Sequence, residues 1–124
     1  MKTILVIDDD DLDRCALKRT IKSICDDVAI HELDSGEAAV EMISSLKPDH
    51  TFLDLWMPGI DGFGVLQAVS SARLEPKPNI HIVSTSDYID DKKRALELGC
   101  TDYHVKPDSR AGYRALVGSI LNAD

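Results

Sequence analysis

Hydrophobic positions along the chain fall into short apolar runs separated by longer segments with helical spacing. Ile4-Leu5-Val6-Ile7, preceded by Thr3, is continuously apolar and largely β-branched, the pattern of a strand covered on both faces in a parallel sheet. Val28-Ala29-Ile30-His31-Glu32-Leu33 alternates apolar with small or polar residues and predicts an edge strand. Three further strand runs follow: His50-Thr51-Phe52-Leu53, Ile80-His81-Ile82-Val83 and Tyr103-His104-Val105. Between them the period changes. Asp10 or Asp11 can cap a helix with apolar positions Leu12, Cys15, Ala16, Leu17, Ile21 and Ile24, ending near Cys25. Ser35 opens a second helix over 37–45, with Ala38, Val40, Met42, Ile43 and Leu46 as its stripe and Lys47-Pro48 as its stop. A third follows Asp61-Gly62 and carries Phe63, Val65, Leu66, Ala68 and Val69, before a proline-rich loop over 75–79. A fourth starts at Asp87 or Asp90, turns Ile89, Ala95, Leu96 and Leu98 inward, and ends on Gly99. The last runs over 109–121 through Tyr113, Leu116, Val117 and Ile120.

Strands alternating with helices in this way predict a doubly wound α/β domain with a five-stranded parallel sheet, because right-handed crossovers leave few other topologies. In such sheets ligands bind outside the carboxyl ends of the strands. What stands at those ends is therefore informative. The first strand is followed by Asp8-Asp9-Asp10-Asp11, the third by Asp54 with Pro58, Gly59 and Gly62 close behind, the fourth by Ser84-Thr85-Ser86, and the fifth by Lys106-Pro107. Taken singly, a strand-end aspartate usually caps a helix and a serine usually satisfies a turn, and those roles suffice for Asp10, Asp11, Thr85 and Ser86. Asp8, Asp9, Asp54 and Lys106 are different, since separate strand ends supply matching chemistry. Converging carboxylates repel one another, and magnesium is the hard cation that such oxygen donors hold while bridging to phosphate. Asp54 is then placed to act as a nucleophile toward a phosphoryl group, with Lys106 as a second cation and Ser84 as a hydroxyl donor.

Composition removes several alternatives. A chain of 124 residues, 44% hydrophobic, makes a single domain over 1–124 with a real core. A net charge of -8, from 22 acidic against 14 basic residues, argues against a direct nucleic-acid surface. Cys15, Cys25 and Cys100 lack paired spacing and read as thiols of a reducing compartment. His31, His50, His81 and His104 show no ligand spacing and read as strand or loop residues rather than metal ligands. No apolar run approaches the ~20 residues of a membrane span, and no signal segment precedes the first strand, so a cytoplasmic protein without membrane insertion is expected.

The acidic pair after Ile4-Leu5-Val6-Ile7, the segment Leu53-Asp54-Leu55-Trp56-Met57-Pro58-Gly59-Ile60-Asp61-Gly62, then Val83-Ser84-Thr85, and Leu98-Gly99-Cys100-Thr101-Asp102-Tyr103-His104-Val105-Lys106-Pro107 together resemble the receiver domain of two-component response regulators. The likeness covers essentially the whole chain. It implies a flavodoxin-like, CheY-like sheet in the order 2-1-3-4-5, an order taken over from the family rather than read from periodicity. It also implies Asp54 as phosphoacceptor, Asp9 as a magnesium ligand with Asp8 beside it, the backbone carbonyl of Trp56 as a further ligand, and Lys106 as the phosphoryl-binding lysine. Ser84 resembles the switch hydroxyl, chosen over Thr85 by counting back without a gap from Gly99, and Tyr103 resembles the aromatic residue that turns on activation. The implied donor is a histidine kinase or histidine phosphotransfer protein. The implied output is a downstream target protein, or a phosphorylation-dependent homodimer, read on the face of helix 4, strand 5 and helix 5. Trp56 is bulkier than many residues at its place, and Asp108 stands where the family often has an apolar residue.

Two other classes compete. Asp8-Asp9-Asp10 after an apolar strand imitates the nucleophile motif of haloacid-dehalogenase-like phosphohydrolases, but that reading leaves the Asp54 loop without purpose. A flavin mononucleotide module of this fold would want a hydroxyl- and glycine-rich first loop, which the acidic run denies. The expected protein is a stand-alone receiver with no separate substrate to turn over, or a receiver fragment of a hybrid histidine kinase.

Overall fold

The computed structural model describes residues 1–122. Its strands are β1 (Lys2–Ile7), β2 (Val28–Leu33), β3 (His50–Leu53), β4 (Ile80–Ser84) and β5 (Asp102–Val105). Its helices are α1 (Asp11–Ile24), α2 (Ala39–Leu46), α3 (Gly62–Ala72), α4 (Ile89–Glu97) and α5 (Arg110–Leu121). All strand pairs are parallel and the order is β2-β1-β3-β4-β5, as the resemblance implies. β2 lies at the edge and is only half-buried, whereas Ile4, Leu5, Val6 and Ile7 of β1 are fully buried. Alternate residues explain why. Ile4 and Val6 pack with Phe52 and Val83 against Leu17 and Ile21 of α1 and Val117 and Ile120 of α5. Leu5 and Ile7 pack with Leu53 and Ile82 against Ile43 of α2, Phe63 and Leu66 of α3 and Ala95 of α4. Each such aliphatic side chain contributes about 1.5–3 kcal/mol by leaving water, and the two layers clamp the sheet between them.

Side-chain caps set three helix starts. Asp10 accepts from the N–H groups of Leu12 and Asp13, Asp61 from Gly64 and Ser109 from Gly112. Asp10 rather than Asp11 is thus the first cap, and Asp108 leaves the start of α5 undisturbed. Gly99, at a φ of 101°, closes the fourth helical segment as expected.

Two starts differ from the sequence spacing. α2 begins at Ala39, two residues late, with no side-chain cap. Gly36 is pressed beneath the Asp54 loop, where a Cβ would stand 2.7 Å from the Ile60 carbonyl oxygen, and that contact holds residues 36–38 in a turn. α4 begins at Ile89, capped by neither Asp87 nor Asp90; Ser86 Oγ donates to Asp91 and accepts from the Tyr88 N–H instead. Leu12, Ile89 and Leu96, with Ala38 and Ala68, belong to the expected apolar stripes but are exposed. α4 is short and buries only Ala95, so most of its side chains never reach the sheet.

Gly62 lets the loop after β3 fold back on itself. Its N–H donates to Leu55 O at 2.8 Å, and a Cβ there would lie 2.5 Å from the Asp54 carbonyl oxygen. Backbone cannot yield as a flexible side chain can. Gly62→Ala should therefore cost about 1–3 kcal/mol in urea unfolding, the range for forced overpacking, and a variant as stable as the parent would refute the close packing.

Candidate functional site

The sheet's hydrogen bonding runs one residue past its strands and so fixes the residues at the rim. The Asp8 N–H donates to Leu33 O, the Asp54 N–H to Ile7 O at 2.9 Å, and the Lys106 N–H to Ser84 O at 2.7 Å. Backbone pairing therefore aims Asp8, Asp54 and Lys106 at one space. Carboxylate oxygens of Asp8, Asp9 and Asp54 all lie within 4.8 Å of one another. Asp8 and Asp54 are buried while Asp9 is exposed, so the cluster has a dry floor and an open mouth. Lys106 Nζ stands 2.9 Å from Asp8 Oδ2 and 3.7 Å from Asp54 Oδ1.

Electrostatics follow from that crowding. Burial first, then the charge of Asp8, raises the Asp54 carboxyl from 3.8 to about 6, with Lys106 pulling the other way. Burial also raises Asp8, against a hydrogen bond from the Asp10 N–H and the Lys106 ammonium. Lys106 is held charged: burial works to lower it, but Asp13 and Asp8 raise it beyond the usual lysine range. Even so, two buried carboxylates share one lysine that is nearer to one of them.

Ser84 is fully buried at the end of β4, and its Oγ accepts from the Ser86 N–H at 3.2 Å. Thr85 is exposed, so Ser84 is the hydroxyl on the inner side of the strand end. Tyr103 is half-buried and its hydroxyl donates to Ser86 O at 2.7 Å, tying β5 to the loop that follows Ser84. Trp56 is 49% exposed and meets Phe63 edge-on at 5.6 Å, with the Arg94 guanidinium 4.1 Å above the Phe63 ring.

Two residues that sequence reasoning did not single out complete the site. Asp13 Oδ2 accepts from Lys106 Nζ at 2.6 Å, closer than either buried acid. Arg14 donates to the Asp8 carbonyl at 2.6 Å and pairs with Glu32 and Asp11, which anchors the acidic loop to β2 and α1. Asp13 lies three residues past the Asp10 cap, so helical spacing puts it in the first turn of α1, and only the strand order brings Lys106 beside it.

The acidic cluster fits a magnesium ion. It offers hard oxygen donors within one small volume, where a divalent cation would offset the repulsion between the buried Asp8 and Asp54 carboxylates.

Fold and rim together define a doubly wound α/β domain with a cation-competent acidic pocket at its switch point. The family model of the response regulator receiver domain matches residues 4–117, and the chain belongs to that family of two-component signalling domains. It is similar to the protein-glutamate methylesterase/protein-glutamine glutaminase 3 of Geobacter sulfurreducens, 39% identical over 105 residues that make up 84% of this chain and 27% of that protein. It is also similar to the nitrate/nitrite response regulator protein NarL of Escherichia coli, 35% identical over 84% of this chain and 47% of that one. The chain thus spans less than half the length of these two relatives. Among solved structures, the signal receiver domain of the putative response regulator NarL from Mycobacterium tuberculosis superposes with a TM-score of 0.82 and 30% identity, covering 99% of this chain and 98% of that one. The response regulator domain of Thermotoga maritima CheB gives 0.80 and 26%, covering 99% and 92%. No helix among the described residues is long and apolar enough to cross a membrane.

A raised carboxyl works against folding wherever it is ionised. Below pH 3.8 folded and unfolded chains both keep the Asp54 proton; between 3.8 and about 6 only the folded chain keeps it, and stability falls as pH rises; above that the full penalty stands. At ~1.4 kcal/mol per pKa unit, Asp54→Asn in magnesium-free buffer should gain about 1–3 kcal/mol at pH 7.5. The gain should vanish below pH 4. Urea unfolding at the two pH values checks this, and an equal gain at both would mean that ionisation is not its source.

Proposed function

We propose that the chain is a phosphoacceptor of a two-component phosphorelay, with Asp54 as the residue modified. The observation that carries the proposal is the convergence of Asp54 with Asp8, Asp9 and Lys106 at the carboxyl rim of the sheet. One Asp54 Oδ attacks the phosphorus of a phosphohistidine on a histidine kinase or histidine phosphotransfer protein. The P–N bond breaks, its electron pair returns to the imidazole, and an acyl phosphate remains on Asp54. Magnesium, held by Asp9 and Asp54 with Asp8 beside them and the Trp56 carbonyl as a further ligand, would neutralise charge on the phosphoryl oxygens. Lys106 binds an oxygen on the other side, and to reach it must loosen its shorter contact with Asp13. The chain works on its own side chain and turns over no separate substrate.

The signal leaves through Ser84 and Tyr103. As the Ser84 side chain swings to donate to a phosphoryl oxygen, its Oγ moves away from the Ser86 N–H from which it accepts, and Ser86 O is the group that holds the Tyr103 hydroxyl. Release there lets Tyr103 turn and shifts the face of α4, β5 and α5, a local charge event read at a distance. Exposed Tyr88, Ile89, Leu96 and Val105 give that face apolar anchors for a downstream target or a second copy. We take residues 1–124 as one receiver domain, acting alone in the cytoplasm or as part of a longer signalling protein.

Labelling with a small phosphodonor separates this reading from the phosphohydrolase. Phosphate labile to alkali and hydroxylamine should appear on the parent with magnesium, disappear with chelator and in Asp54→Asn, and persist at a reduced rate in Asp8→Asn. Labelling lost in Asp8→Asn but intact in Asp54→Asn would favour the hydrolase.

Trp56 sets how long the label lasts. Its ring, two residues past Asp54, leans on Phe63, and a side chain of that bulk would hinder the hydrolytic water. Trp56→Asn should lose the phosphoryl group severalfold faster than the parent in a single-turnover decay, and an unchanged or slower decay removes that role from the ring.

A further inference from the structure

Three strands carry a second constellation on the α1 and α5 side of the sheet. Parallel register sets His81 of β4 beside Asp102 of β5, and His104 is two residues further along β5 on the same face. His81 Nδ1 lies 2.8 Å from Asp102 Oδ1, and His104 Nε2 lies 3.0 Å from the same oxygen. The two contacts are unequal. His81 and Asp102 make a hydrogen bond, whereas the buried His104 Nε2 is close enough to Asp102 for an ion pair but lies off hydrogen-bonding geometry and has no hydrogen-bond partner among the described residues. Beyond His81, its Nε2 meets His50 Nδ1 at 2.8 Å. His81 is almost fully buried, while Asp102 at 39% and His104 at 25% side-chain exposure leave an opening to solvent at the edge strand.

We propose that His81, Asp102 and His104 bind one transition-metal ion of the zinc class, separately from the Asp8, Asp9 and Asp54 cluster. Donor atoms of the three residues already lie within 4.8 Å of one another. A tetrahedral ion with ligands at ~2.0–2.1 Å sets neighbouring donors about 3.3 Å apart. The present 2.8 and 3.0 Å separations need open by only a few tenths of an ångström, within reach of side-chain rotation. The off-line His104 nitrogen is what a hydrogen-bonding role leaves unexplained and a shared ion accounts for. His81 can take part by carrying its proton on Nε2, where His50 Nδ1 accepts it; the Nδ1 lone pair then faces the ion, the outer-shell arrangement usual for ligating histidines. Two imidazoles and one carboxylate favour zinc, cobalt, nickel or copper over magnesium, while the all-carboxylate rim has the opposite preference. Three protein ligands leave a fourth position for water at the open side.

The test titrates the full chain with Zn²⁺ calorimetrically and with Co²⁺ by visible absorption, in excess Mg²⁺ to fill the acidic rim. One equivalent should bind with a tetrahedral cobalt spectrum, raise the melting temperature, and shift the His81 Nδ1 and His104 Nε2 resonances in imidazole nitrogen NMR. Asp54→Asn should bind as the parent does. His104→Gln should bind more weakly by more than the ~10–100-fold that loss of an outer-shell partner costs. Should His104→Gln fail to fold, His104→Asn replaces it, and the parent's nitrogen shifts decide if both fail. The proposal is overturned by no saturable uptake at micromolar Zn²⁺, by uptake undiminished in the His104 variant, by loss of uptake in Asp54→Asn, or by a thiolate-to-cobalt charge-transfer band.

Discussion

Repulsion among carboxylates at the mouth of β1 and β3 is the constraint around which the rest of the domain is built. Asp8 and Asp54 are buried acids one residue past the ends of neighbouring strands, and a folded chain would ordinarily separate them. Here the sheet forbids separation, because the backbone N–H of each is bonded to a neighbouring strand. The apolar layers on both faces supply the rigidity that keeps like charges together. Lys106 relieves the strain in part, yet it is closer to Asp13 and Asp8 than to Asp54. What remains is a pocket poised to take up positive charge, and a domain whose stability is limited by the chemistry proposed for it.

Much of this was legible in the chain. Continuous apolar β-branched runs announced buried parallel strands, and abrupt changes to Asp54, Ser84 and Lys106 marked their carboxyl ends. Strand-end position is a one-dimensional signal that survives without knowing the topology, which is why the rim residues could be named together. Asp13 could not be found that way. It sits inside a helix among other acids, and its meeting with Lys106, distant in sequence, depends on α1 and β5 sharing one side of a sheet. The start of α2 failed for a related reason: local capping signals favoured an earlier turn, but Gly36 had to fit under the Asp54 loop. Apolar residues of α4 misled because helical spacing records amphipathicity without saying whether the apolar face meets the core or a partner.

The histidines show the same limit from the other side. His81, Asp102 and His104 have no recognisable ligand spacing along the chain, since one ligand comes from β4 and two from β5. Only strand register brings them together, and only on the face that β5 does not give to Tyr103. Alternation along a strand is thus what separates two chemistries on one short segment. Tyr103 serves one face of the sheet, and Asp102 and His104 serve the other.

That separation bears on how the two sites interact. Lys106 follows His104 by two residues, so an ion fixing His104 to β4 would also fix the strand from which Lys106 projects. The lysine's backbone is already bonded to Ser84, and its side chain must exchange Asp13 for an incoming phosphoryl oxygen under the proposed mechanism. A stiffer β5 leaves that exchange to side-chain rotation alone, while a looser one lets the backbone share it. The same pair of strands carries the proposed switch, Ser84 on β4 and Tyr103 on β5. Any ligand that draws β4 and β5 together therefore acts on the elements through which the phosphoryl group would be felt, without touching the acids that receive it.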